Sequence, residues 1–144
     1  ALDELNAFLG FVKMRAKDSP RFAGAIREIQ ESLFIIQAET AGADKRLKEG
    51  LAQEIGNRVN DIEKEIPPIS GFSIAGGTEL SALLDVARTF ARRAERRIIA
   101  VKEMGLRDLS DETMTYMNRL SSLLFALARL ANHQAGVAEE NPKY

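Results

Sequence analysis

The chain has 144 residues, of which 45% are hydrophobic and 28% are charged, and it has a formal net charge of -1 and no cysteine. This balance is typical of one globular domain and excludes a disordered or fibrous chain, while the missing cysteines exclude disulfides and thiolate chemistry. The near-neutral charge provides no overall field for nucleic acid, and neither a membrane-spanning run nor a secretion signal is seen. We therefore expect a soluble, cytoplasmic protein with no nucleic-acid or membrane partner.

Apolar residues recur at spacings of three and four, which predicts α-helices and gives no strand-like alternation. The first predicted helix covers about residues 2–17, the second about 21–40 and the third about 44–66. A double proline ends the third helix, because proline cannot continue the helical hydrogen bonding. The wide apolar arc of the second helix predicts burial on two sides.

The run PPISGFSIAGG at residues 67–77 contains two prolines and three glycines, which predicts a loop with tight turns. A long helix is predicted at about 78–104, with Thr78 as its N-cap, and a last helix at about 110–134. Mostly short connections between five helices predict an all-α, antiparallel five-helix bundle that forms a single domain over residues 1–144.

The fourth predicted helix carries five arginines in the run ARTFARRAERR, residues 87–97. A helical wheel places its core stripe at Leu80, Leu83, Ala87, Phe90, Ala94, Ile98 and Val101. Arg88, Arg92 and Glu95 gather on another arc, which in a generic bundle is a solvated face. However, apolar residues such as Leu84 lie beside this arc, and arginines at a spacing of four present parallel guanidinium groups. This mixture favours contact with a polyphosphate or with carboxylates of another subunit.

A second polar stripe follows the last predicted helix, opposite its leucines: Asn118, Ser122, Phe125 and Arg129. Because a phenylalanine on a polar stripe needs cover, the stripe favours an oligomer interface over a ligand site. His133 is the only histidine, so a Ser/His/Asp triad and a di-metal carboxylate site have no support, and no metal ligands are predicted. Residues 71–77 match neither a Walker loop nor a dinucleotide fingerprint.

Three stretches of the chain resemble the PduO-type ATP:cob(I)alamin adenosyltransferases. They are DELNAFLG from Asp3, IPPISGFSIAGGTELSALLDVARTFARRAERR from Ile66, and MNRLSSLLFALAR from Met117, which together span essentially the whole chain. The blocks ARTxxRRAER and NRLSxxLF carry the most specific part of the resemblance. It implies a homotrimeric five-helix bundle with its active site at the subunit interface.

The reaction that the resemblance implies is transfer of the 5′-deoxyadenosyl group of ATP to the cobalt of cob(I)alamin, with release of triphosphate and formation of adenosylcobalamin. ATP, Mg²⁺ and cobalamin are the implied cofactors. A reductase and an adenosylcobalamin-dependent enzyme are implied as candidate further partners. Since cobalt is the nucleophile, the lack of a protein nucleophile or acid–base pair is expected.

The resemblance also implies roles for individual residues. Those that match family positions at the nucleotide are Arg92, Glu95 and Asn118. Arg88 matches an arginine that pairs across the subunit boundary with an aspartate, and Asp3 matches that aspartate. Phe72 matches a phenylalanine beneath the corrin ring, where it excludes the lower axial ligand and leaves a four-coordinate cobalt that is easier to reduce. Arg88, Arg92 and Phe72 are therefore the implied catalytic residues.

The chain departs from the family pattern at three positions: Asp85 replaces a histidine, Ala75 a proline and Ser122 an aspartate. Asp85 lies one turn before Arg88 and is expected to compete with Asp3 for that arginine. The phosphate-binding segment that precedes the first helix in the family is expected upstream of Ala1 in the complete protein. The alternative functions are a non-catalytic trimeric bundle that binds or delivers adenosylcobalamin, and an unrelated helical scaffold whose arginines only join subunits.

Overall fold

In the computed structural model, which describes residues 1–143, the chain folds into five helices and no strands. The helices are α1 (Leu2–Arg15), α2 (Pro20–Thr40), α3 (Leu51–Glu65), α4 (Glu79–Glu103) and α5 (Asp111–Gln134). The all-α, five-helix prediction is confirmed. Helix α5 packs against α4 and α3, and α1 packs against α2 and α4. Within residues 1–143, no helix has the length and apolarity needed to cross a membrane.

Contacts between side chains show that α4 and α5 run in opposite directions. Thr78, at the start of α4, bonds to Asn132 near the end of α5, whereas Lys102 near the end of α4 lies 3.6 Å from a carboxylate oxygen of Asp111. The leucine face of α5 is buried along its whole length, at Met117, Leu120, Leu124, Leu127 and Ala131 as predicted. The loop between α3 and α4 therefore ends at the point where the start of α4 contacts the end of α5.

The ends of the long helices are set by local caps. The Thr78 hydroxyl accepts a hydrogen bond from the Ser81 amide at 3.1 Å, which confirms the predicted N-cap of α4. Ser110 caps α5 in the same way, by accepting from the Thr113 amide at 3.2 Å. Each cap satisfies a backbone donor that has no partner within the helix.

The predicted start of the third helix at residue 44 is wrong, since α3 begins at Leu51. Gly50 has a φ of 99°, a left-handed conformation that cannot continue a helix. The Glu112 carboxylate of α5 accepts hydrogen bonds from the amides of Gly50 and Ala52 at 3.3 and 2.7 Å, and so caps α3 from another helix. Leu47 is buried although it lies before the helix. Because it is four residues from Leu51, it matched the helical spacing and made the predicted helix too long.

The predicted core stripe of α4 is wrong in part. Four of its members are only half-buried: Leu80, Leu83, Phe90 and Val101. The other three members, Ala87, Ala94 and Ile98, are buried as predicted, and the rest of the buried face of α4 is formed by Ser81, Leu84 and Ala91. Because α4 packs against both α1 and α5, its buried face is turned toward the side that carries Arg88, and small alanines allow the close approach of its neighbours.

A buried carboxylate ties α2 to the start of α5. Glu39 is only 3% exposed, and its oxygens accept from the Thr113 hydroxyl at 2.5 Å, the Ser110 amide at 3.1 Å and the Arg46 guanidinium at 2.8 Å. These three donors engage both oxygens of the carboxylate. Removing it would leave the buried Thr113 hydroxyl and the Ser110 amide without an acceptor.

We expect Glu39→Ala to lower the free energy of unfolding by about 2–3 kcal/mol, because the Thr113 and Ser110 donors lose their acceptor in a buried site. Urea denaturation followed by circular dichroism measures the change. Glu31→Ala on the same helix is the control, since Glu31 forms an exposed pair with Arg27 that contributes less than about 1 kcal/mol. Equal losses in the two variants would contradict the assignment.

Candidate functional site

A cavity of 580 Å³ lies between the loop at residues 67–77, α4 and α5. Its lining includes Ile69, Phe72 and Ile74 from the loop, Ser81, Asp85, Arg88 and Arg92 from α4, and Ser122, Phe125, Arg129 and Asn132 from α5. The loop side is apolar and the α4 side carries charge. Concave sites of this size with a few polar groups are typical of ligand binding.

The loop presents large apolar side chains to the cavity and to solvent. Phe72 is 76% exposed, and Ile69 and Ile74 are each about half-exposed. Burying such groups against a flat apolar surface would be favourable, because each contributes apolar area that water now covers. Their exposure around one cavity is therefore typical of a surface that a large, partly apolar ligand covers.

The turn at the end of the loop depends on Asn132. Its amide donates to the Gly76 carbonyl at 2.8 Å, and its side-chain oxygen accepts from the Thr78 hydroxyl at 2.9 Å. Gly77 has a φ of 104°, and a Cβ at this position would lie 2.9 Å from the Asn132 side chain. Glycine is thus required both for its backbone conformation and for space.

Arg88 is held along the cavity wall by its own helix. Its Nε donates to the Asp85 carboxylate at 2.7 Å, and both side chains are partly covered. This confirms the pairing that the sequence predicts between these two residues. The bond uses Nε, which leaves the terminal guanidinium nitrogens of Arg88 available to a ligand.

Arg92 lies one turn further along α4, lines the cavity and is exposed. None of the ion pairs within residues 1–143 involves it. It is therefore the cavity's uncompensated positive charge, whereas the charge of Arg88 is partly offset by Asp85. A multiply charged anion in the cavity would interact most strongly with Arg92.

Glu95 and Asn118 join α4 and α5 close to Arg92 but are not part of the cavity lining. The Asn118 amide donates to the Glu95 carboxylate at 2.9 Å. Asp3 is exposed in the first turn of α1 and does not line the cavity either. The structure thus brings Phe72, Arg88 and Arg92 together and leaves the bridge from Asp3 to another subunit as a prediction.

The polar stripe of α5 contributes to the cavity of its own chain. Ser122, Phe125 and Arg129 line the cavity, and Arg129 is 9% exposed. The Arg129 guanidinium donates to the Pro67 carbonyl at 2.7 Å and also binds the Glu139 carboxylate. The sequence analysis did not assign Arg129 or Asn132 to the site. Arg129 was named only as a member of the polar stripe, and Asn132 is one of several polar residues in the last turns of α5, together with His133 and Gln134.

Comparisons with known proteins place this geometry in context. The family described as Cobalamin adenosyltransferase matches residues 1–131 of the chain. The Corrinoid adenosyltransferase of Bacillus subtilis is 32% identical over 145 residues, which cover 96% of this chain and 74% of that protein. The Corrinoid adenosyltransferase PduO of Citrobacter freundii is 35% identical over 93% of this chain, which spans only 41% of that longer protein.

A solved structure is similar as well. A variant PduO-type ATP:corrinoid adenosyltransferase from Lactobacillus reuteri, complexed with cobalamin and ATP, matches with a TM-score of 0.84 and 28% identity. The match covers 96% of this chain and 77% of that one. Similarity in sequence and in fold therefore extends over nearly the whole chain.

We expect Gly77→Ala to destabilise the protein by about 2 kcal/mol or more, since it adds a clash with the Asn132 side chain to the strain of a positive φ. Gly76→Ala is the matched control, because Gly76 has a similar φ of 109° but open space around its Cβ position. Thermal unfolding of both variants measures the difference. If Gly77→Ala were no worse than Gly76→Ala, close packing against Asn132 would be excluded.

Proposed function

Because the chain belongs to the cobalamin adenosyltransferase family, we propose that it transfers the 5′-deoxyadenosyl group of ATP to the cobalt of cob(I)alamin. The observation that carries the proposal is one cavity in which an apolar loop with Phe72 faces a helix with Arg88 and Arg92. A corrin ring and a triphosphate need these two kinds of surface. The products are adenosylcobalamin and triphosphate.

The arginines supply the charge that the leaving group requires. As the bond between C5′ and the triphosphate oxygen breaks, its electron pair leaves with the triphosphate, and the new bond forms between cobalt and C5′. Arg92, which has no carboxylate partner within residues 1–143, stabilises this developing negative charge. Arg88, fixed by Asp85, orients the phosphates, and the Glu95–Asn118 pair fixes the nucleotide end of the site.

Phe72 and its loop provide the surface for the corrin ring. An aromatic side chain beneath the ring excludes water and the lower axial ligand from the cobalt. Cobalt without that ligand accepts an electron more readily, which favours the Co(I) nucleophile. Neither step requires a protein nucleophile or a general acid, because the protein contributes orientation, exclusion of water and charge.

Mg²⁺ belongs on the phosphates in this proposal. Residues 1–143 contain no group of three histidine, cysteine or carboxylate side chains that could hold a metal. Magnesium commonly binds through substrate phosphates and retains several waters. It would supply further charge neutralisation on the triphosphate, next to the arginines.

Three further parts complete the proposal. One helical-bundle domain over residues 1–144 and a cytoplasmic location rest on the composition and pattern of the sequence, whereas a homotrimer with the site at the subunit boundary rests on the resemblance to the family. In such a trimer, Asp3 of one subunit would pair with Arg88 of the next, in competition with Asp85. A reductase would supply the electron for cobalt, and an adenosylcobalamin-dependent enzyme would take the product.

We expect Arg92→Ala to lower kcat for adenosylcobalamin formation roughly 100-fold or more, because the uncompensated cation at the leaving group is lost. The assay follows the absorbance of the cobalt–carbon product under anaerobic conditions with ATP, Mg²⁺ and reduced cobalamin. Arg97→Ala is the control, since Arg97 is exposed on the same helix outside the cavity.

Size-exclusion chromatography of the same variants separates the enzyme from the alternative functions. An enzyme loses activity in Arg92→Ala while its oligomeric state is retained. A scaffold whose arginines only join subunits would dissociate. Absence of any cobalt–carbon product with the unaltered protein would leave the cobalamin-delivery function as the better explanation.

We expect Phe72→Ala to slow the reaction about tenfold or more when it starts from cob(II)alamin, and less when cob(I)alamin is prepared chemically beforehand. The reason is that Phe72 acts on reduction of the cobalt rather than on alkyl transfer. Phe34→Ala is the control, because Phe34 is 67% exposed on α2 and does not line the cavity. Equal losses from both starting states would contradict this role.

A further inference from the structure

The segment that follows α5 runs back along the loop that carries Phe72. The Ile74 amide donates to the Glu140 carbonyl at 2.7 Å. The Asn141 amide donates to the Phe72 carbonyl at 2.8 Å and to the Ser70 carbonyl at 3.3 Å. Residues 137–141, called the strap here, therefore hold the loop on both sides of Phe72.

Arg129 joins the strap to the other end of the loop. Its nearly buried guanidinium binds the Pro67 carbonyl and the Glu139 carboxylate at once. A forked guanidinium can hold two acceptors in a fixed relative position, which a single ammonium cannot do as well. The pair also leaves no net charge beneath the apolar loop.

We propose that Arg129, Glu139 and Asn141 are positioning residues that fix the Phe72 loop before any ligand binds. The side chains of Arg129 and Asn141 hold the loop at Pro67, Ser70 and Phe72, Glu139 holds the Arg129 guanidinium, and the backbone carbonyl of Glu140 holds the loop at Ile74. A loop with three positive-φ glycines and exposed apolar side chains has little local structure to hold it otherwise. The strap replaces the order that a helix or strand would give.

The consequence for the reaction rests on the proposed role of Phe72. An aromatic ring can exclude an axial ligand only if its height beneath the corrin is fixed within a fraction of an ångström. Pre-organisation of the loop therefore contributes to the turnover rate rather than to ATP affinity. Arg129, Glu139 and Asn141 act through Phe72 and need not touch the reacting atoms.

The test begins with the ligand-free protein and uses hydrogen exchange measured by mass spectrometry. Glu139→Ala and Asn141→Ala should each speed exchange in peptides that contain Ile74, whose amide is bound by the Glu140 carbonyl of the strap, by about three- to tenfold, the range for loss of one hydrogen bond. Glu140→Ala is the matched control. Glu140 binds the loop through its backbone carbonyl, which the substitution leaves in place, so exchange should stay unchanged. Unchanged exchange in both test variants would overturn the proposal.

Kinetics with the same variants provide the second measurement. We expect kcat from cob(II)alamin to fall several-fold in Glu139→Ala and Asn141→Ala, with KM for ATP unchanged and Glu140→Ala normal. Arg129→Lys should give a partial effect that lies between the unaltered protein and Arg129→Gln. Glu139 and Asn141 lie outside the helices, so their substitution leaves the helical core intact. Their variants therefore test the positioning role even if Arg129→Gln fails to fold.

The two measurements distinguish failure of the strap from failure of the proposed function. Faster exchange together with no adenosylation by the unaltered protein would contradict the proposed function and retain the strap. Faster exchange with unchanged kcat and KM would show that the strap is only structural, and would overturn its positioning role.

Discussion

The hydrogen bonds of one side chain, Asn132, determine where the site forms. Its amide joins the last turns of α5 to the Gly76 carbonyl and to the Thr78 hydroxyl, which itself caps α4. Because α4 and α5 run in opposite directions, this junction brings the apolar loop to one end of the arginine-bearing face. Without it, the end of the loop that leads into α4 would lose its side-chain contact with α5, and only the part from Pro67 to Ile74 would stay held by Arg129 and the strap.

Local sequence signals predicted most of the fold. The Thr78 cap, the prolines and the spacing of apolar residues are short-range features, and the helices they predict are present. The start of α3 was beyond such reasoning, because its cap is supplied by Glu112, about sixty residues away in sequence. The buried face of α4 likewise depends on which helices flank it, and a wheel drawn for one helix cannot contain that information.

The residues of the site divide in the same way, into those that the sequence predicts and those whose role depends on contacts between distant parts of the chain. Phe72, Arg88 and Arg92 were named from a family resemblance, and they meet in one cavity. Asp85 was expected to bind Arg88 because the two lie one turn apart, and it does. Arg129 was assigned to an oligomer interface from its helical spacing alone. Its partners in the structure are a carbonyl in the loop and a carboxylate in an irregular segment. Neither partner leaves a periodic pattern in the sequence.

Asp85 changes how the charge on α4 should be understood. Five arginines in one run suggest a strongly positive surface, but Arg88 is paired with Asp85 and Arg93 with Glu4. Arg96 and Arg97 lie outside the cavity lining, and Arg129 is paired with Glu139, so within residues 1–143 the unpaired arginine that lines the cavity is Arg92. For a reaction in which negative charge grows on a departing triphosphate, one uncompensated cation is more selective than a broad patch. A broad patch would stabilise bound ATP and released triphosphate alike, whereas a localised charge can act most strongly where the bond breaks.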